Sequence, residues 1–86
     1  MPFSTSIDFR AHRTFEKGTS TAFGITPSSV VMVSLTELDS VGEPFIGAAT
    51  MKIYNVAPGN GQVLFRGEID WDFDLNIRAN IFVATP

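Results

Sequence analysis

The stretch QVLFRGEIDW, residues 62–71, decides the class of fold. Val63, Phe65, Ile69 and Trp71 alternate with Gln62, Arg66, Glu68 and Asp70. Successive side chains of an extended chain point to opposite faces, so a period of two presses one apolar face on a core and leaves the other wet. An amphipathic helix would need apolar residues three and four apart. No such spacing is sustained anywhere in the chain.

The same signal recurs on both sides. LNIRANIFVA (75–84) sets Leu75, Ile77, Ala79, Ile81 and Val83 against Asn76, Arg78 and Asn80. Upstream, PGNG at Pro58 to Gly61 is a hairpin turn that closes a strand over IGAATMKIYNV, Ile46 to Val56. VVMVSLTEL from Val30 is rich in β-branched residues and bounded by TPSS and DSVGEP, which makes it a further strand. Two shorter candidates precede it: SIDFRAHRTF (6–15), in which Ile7 and Phe9 alternate, and STAFGI (20–25) around Phe23. Six short strands with frequent turn signals predict one all-β domain over residues 1–86, a six-stranded antiparallel β-sandwich. Residues 1–19 read as an N-terminal strand and arm, and 20–86 as the core of the domain.

Composition agrees. Of 86 residues, 44% are apolar and 12% aromatic, eight of them Phe, which suits a packed core and not a disordered chain. The net charge of −3 and the scatter of six basic residues exclude the concentrated basic face of a nucleic-acid binder. Without cysteine there are no disulfides and no thiolate metal sites. MPFSTSIDFR lacks a basic region followed by an apolar one, and no run approaches the ~20 apolar residues of a membrane span. A soluble protein without membrane insertion is expected, with the cytoplasm as default address and non-classical release as its route to the outside.

Two strands break the one-face rule. Val30 to Leu35 is apolar on both parities, with Val31, Val33 and Leu35 on one face and Val30 and Met32 on the other. Phe82 likewise interrupts the polar face of its strand. Loops or the N-terminal segment could cover this second face. Another subunit is the better cover, because so little chain is left over to provide one.

The chemistry-bearing residues gather at GEIDWDFDLN (67–76), where Glu68, Asp70, Asp72 and Asp74 surround the one tryptophan, Trp71. On an extended strand Glu68, Asp70 and Asp72 share a face with neighbours ~6.6 Å apart, which makes them weak candidates for calcium, an ion that takes six to eight oxygens. No DxDxDG loop supports that reading, and a solvated strand face explains the same residues. A glycosidase pair would need a cleft that a small sandwich hardly offers. His12, the one histidine, reads as a surface residue, and Tyr54 as half-buried with its hydroxyl paired. By parity Trp71 belongs to the core; as the last residue of its run among polar neighbours, it could instead show a ring face to a ligand. Pyranose C–H groups pack on such a ring while carboxylates accept the sugar's hydroxyls.

The order of segments is informative as well. VVMVSLTELD (Val30 to Asp39), MKIYNVAP with Tyr54 to Pro58, Gly61, a strand ending in Trp71 and a last apolar strand together resemble the H-type lectin domain of snail agglutinins and discoidin C-terminal domains. The likeness covers roughly residues 20–85, with a longer turn here. It implies a six-stranded sandwich assembled as a homotrimer, in some members paired into a hexamer, that binds galactose or N-acetylgalactosamine glycans between subunits without catalysis. Family sites use a Trp-His pair, an Arg and an N-terminal Asp. Carried over by position, the Trp is Trp71, Asp72 stands in the histidine's place, Ala48 near the arginine's and Arg10 near the aspartate's. The family's cysteines are missing. Trp71 would stack on a sugar while Asp72 and Asp70 accept hydroxyl hydrogen bonds, with Arg10 contributing from the N-terminal segment.

Overall fold

A computed structural model describes residues 2–20 and 24–84. It is all-β: seven strands, β1 (Pro2–Ala11), β2 (Arg13–Ser20), β3 (Val30–Leu38), β4 (Pro44–Phe45), β5 (Thr50–Pro58), β6 (Gln62–Asp70) and β7 (Leu75–Ala84). They form a four-stranded sheet in the order β1-β7-β3-β4 and a three-stranded sheet in the order β2-β6-β5. Every pairing is antiparallel, so the architecture is the expected antiparallel sandwich, with seven strands among the described residues where six were expected.

The two strands with the cleanest alternation occupy the middle of the two sheets. Val63, Phe65 and Ile69 of β6 face Ile77, Ala79, Ile81 and Val83 of β7, all at most 2% exposed. Each Val, Ile or Phe among them contributes ~1.5–3 kcal/mol when withdrawn from water, so these two rows dominate the cohesion of the fold. The rings of Phe9, Phe15 and Phe65 continue the core between the sheets, with centroids 5.3 Å and 6.3 Å apart along the series. Gly67 fills the inward position of β6 beneath Phe15: a Cβ there would lie 2.6 Å from the Lys52 carbonyl oxygen and 3.0 Å from Phe15 Cζ. The glycine is what lets ring and backbone close on each other.

Four expectations about the strands need correction. The candidate at residues 6–15 is two strands in different sheets. The chain turns at His12, and Arg13 adopts a left-handed φ of 57°. The N-terminal "arm" is thus an edge strand of each sheet, β1 against β7 and β2 against β6. Residues 21–23 of the STAFGI candidate lie outside the described residues, and the following Gly24 and Ile25 are in a loop, with Ile25 plugging the core at 2% exposure. The segment read as a strand from Ile46 begins to pair only at Thr50, because residues 46–49 cross from one sheet to the other. The two-residue β4, set against Glu37 and Leu38, is the strand that patterning missed. A tight turn leads into it: the Asp39 carboxylate accepts the Val41 and Glu43 amides at 2.9 Å, and Gly42 supplies a φ of 85°.

The second apolar face is open. Val30, Met32 and Phe82 are 59%, 61% and 40% exposed on the outer side of the four-stranded sheet, where Met32 and Phe82 are cross-strand partners beside Ser4. Neither β1 nor any described loop covers them. No helix among the described residues is long and apolar enough to cross a membrane.

Candidate functional site

Strand register brings the site together. β6 ends at Asp70, opposite Thr50 of β5, while Arg13 at the start of β2 pairs with Ile69 on its other side. The chain then folds sharply: the Trp71 amide donates to the Ile69 carbonyl at 2.8 Å, a three-residue turn centred on Asp70. This turn breaks the alternation one residue before the expected strand end. Trp71 therefore leaves the core face and is 38% exposed, apart from both buried clusters.

Arg13 anchors the loop beyond this turn. Its Nη1 lies 3.5 Å from Asp70 Oδ1, and its Nη2 donates to Asp72 Oδ1. One guanidinium thus ties both ends of the Trp71 loop to the start of β2. The neighbouring residue repeats the link, with His12 Nδ1 at 2.5 Å from Asp74 Oδ1. Arg13, Asp70, Trp71, Asp72 and Phe73 line a hollow of about 310 Å³. That volume is at the small end of the ~300–1,000 Å³ usual for ligand sites, room for one monosaccharide-sized group. Phe73 stands beside it at 74% exposure. Two rings, two carboxylates and one cation already engaged by both carboxylates make a surface of π faces and hydrogen-bond acceptors.

The four acids around Trp71 thereby divide among three partners. Asp70 and Asp72 answer Arg13, Asp74 answers His12, and Glu68 accepts the hydroxyl of Tyr54. Tyr54 is half-exposed on the outer face of the three-stranded sheet, where a β-bulge between Ile53 and Asn55 places it. Its hydrogen bond to the Glu68 carboxylate raises the phenol's pKa above the ordinary 10.0, with desolvation adding to the effect. Glu68 does not line the hollow. Among the described residues no three potential ligands converge on one point where a metal could sit. The expected common face of three acids is thus cut short: Glu68 and Asp70 lie on one side of β6, whereas Asp72 sits past the strand end in the Trp71 loop, and the three form no ligand set.

Arg10 belongs elsewhere. It projects from β1 on the outer face of the other sheet, opposite Asn76, and lines a separate hollow with Asp8, Leu38, Asp39 and Gly42. On the same face Arg78 grips Asp8 with both arms of its guanidinium, Nε to Oδ1 at 2.9 Å and Nη2 to Oδ2 at 3.2 Å. The hydrogen bond from Arg78 holds the Asp8 carboxyl below its ordinary 3.8. Ala48 lies in the crossover 46–49 that leads into Thr50, at the same end as Trp71. Within one chain the arginine beside Trp71 is Arg13, while Arg10 lines the other hollow. The only sequence signal for it was a weak one: His12-Arg13 and Asp72, Asp74 are complementary in charge when read antiparallel, 59 and 62 residues apart.

No family model, curated protein or solved structure matches this chain.

Proposed function

We propose that the protein is a non-enzymatic carbohydrate-binding module, a lectin of H-type-like build for galactose, N-acetylgalactosamine or related glycans, working as a multivalent trimer. The observation that carries the reading is the half-exposed Trp71, turned out of the core and held between Asp70 and Asp72 by Arg13. An aromatic face flanked by fixed acceptors suits the apolar side and the equatorial hydroxyls of a pyranose. The open face at Val30, Met32 and Phe82 supports self-association, because exposed apolar patches rimmed by polar residues are typical of interfaces. Single sites of this kind bind at about millimolar affinity, ~−4 kcal/mol, and three on a rigid assembly gain by effective concentration. Glu68 and Asp70 do not argue for glycosidase chemistry, since Glu68 is engaged by Tyr54 and of the two only Asp70 reaches the hollow.

The test is a glycan array with and without calcium on protein whose mass has been fixed by light scattering, together with Trp71→Ala. The variant should keep its mass and its far-UV spectrum and lose glycan binding. A Trp71→Ala variant that unfolds, or one that binds as before, would sink the site assignment. A second reading, an interaction module with the same sandwich and no sugar site, is favoured by one observation: Asp72 and Ala48 stand where the resemblance places the site's histidine and arginine. A folded trimer that binds no glycan on the array would select it.

A further inference from the structure

The charge and donor balance of the Trp71 hollow narrows the class of sugar it can take. Resting on the carbohydrate reading, we infer that the site selects a sugar bearing a free, protonated amine over the N-acetylated or neutral form of the same sugar. The hollow is lined by two carboxylates, Asp70 and Asp72, one guanidinium, Arg13, and two rings, Trp71 and Phe73. The guanidinium is held by both carboxylates, so the lining carries one net negative charge.

That balance discriminates between the two nitrogen groups. An acetamide brings no charge to balance the lining, and the guanidinium there already faces Asp70 and Asp72. An ammonium needs acceptors and negative surface, which the second lone pairs of the carboxylates and the faces of two exposed rings supply. Neighbouring charge does not reverse this: His12 is engaged by Asp74, and Lys52 of β5 stands opposite Glu68 of β6, outside the hollow lining. The site therefore departs from N-acetylgalactosamine toward galactosamine-like ligands.

Trp71 is the only tryptophan, so its fluorescence and its single indole N–H resonance report on this site alone. The experiment titrates the intact protein with galactosamine, N-acetylgalactosamine and galactose at about pH 6 and ~0.15 M salt, where an α-amino-type amine is protonated and distant charges are screened. Galactosamine should bind about tenfold tighter than either of the others, the combined effect of a cation–π contact and a charge-assisted hydrogen bond at a half-exposed site. Asp72→Asn balances the lining and should bring the three affinities within about twofold; Asp74→Asn, outside the lining, should leave the preference intact. Equal affinities in the unmodified protein would overturn the inference while the carbohydrate reading stands. Equal losses of preference in both variants would also overturn it, because the effect would then track overall charge. A response to none of the three sugars, or one that ethanolamine reproduces in full, would overturn the carbohydrate reading itself.

Discussion

Arg13 offers the sharpest separation of site from scaffold. It holds a left-handed φ of 57° that a non-glycine residue adopts at a cost of ~1–2 kcal/mol. Its side chain is 56% exposed, so the two ion pairs it makes are worth about 0.2–1 kcal/mol each after screening. Replacing it by glycine removes both. The strain is relieved, the pairs are lost, and the added chain entropy of glycine costs ~0.5–1 kcal/mol. The net change for Arg13→Gly should fall within about 1 kcal/mol of zero. Arg13→Ala loses the same pairs but keeps the strain, and should be less stable than Arg13→Gly by ~1 kcal/mol. Urea unfolding by far-UV circular dichroism resolves this, since 1 kcal/mol moves the midpoint by roughly 0.3–1 M at usual slopes. The indole N–H resonance of Trp71 should meanwhile broaden or shift in both variants, because the loop has lost its anchor. An Arg13→Gly protein destabilised by more than about 2 kcal/mol, or one no more stable than Arg13→Ala, would refute the reasoning. Arg13 would then be part of the scaffold.

Two further predictions concern the scaffold itself. Gly67→Ala forces a methyl group against the Lys52 carbonyl and the Phe15 ring and should cost about 1–3 kcal/mol in the same urea assay, whereas a spacious strand glycine would gain from alanine. The Asp8 carboxyl titrates below its ordinary 3.8 in the folded protein, so its contribution is fully present above that value and is lost as pH falls through the lowered folded one. Asp8→Asn should therefore flatten the acid limb of the stability–pH curve below about pH 4 while leaving its shape near neutrality unchanged.

Much of the fold was legible because strand patterning is a local property. Residues 62–70 and 75–84 alternate along their own length, and that alternation put Val63, Phe65, Ile69, Ile77, Ala79, Ile81 and Val83 in the core with no knowledge of partners. What was missed shares a cause. The break at His12 and Arg13, the crossover at residues 46–49 and the two-residue β4 are set by how the sheets meet, and the segments involved look extended in either case. Parity also misled at Trp71, since one backbone hydrogen bond to Ile69 ends the strand and turns the ring outward.

The sequence by itself determined the all-β class, the two strands of cleanest alternation, the surplus of apolar residues on Val30, Met32 and Phe82, and the crowding of carboxylates around a single tryptophan. Each of these is written in neighbouring residues, at a spacing of one or two along the chain. Only the tertiary structure decided which cation meets those carboxylates. Arg13 reaches Asp72 and His12 reaches Asp74 across 59 and 62 residues, because β2 and β6 are adjacent and in one particular register. A shift of one residue would turn each side chain to the opposite face. Register is a property of the packed sheets, and the hollow beside Trp71 exists only once it is set.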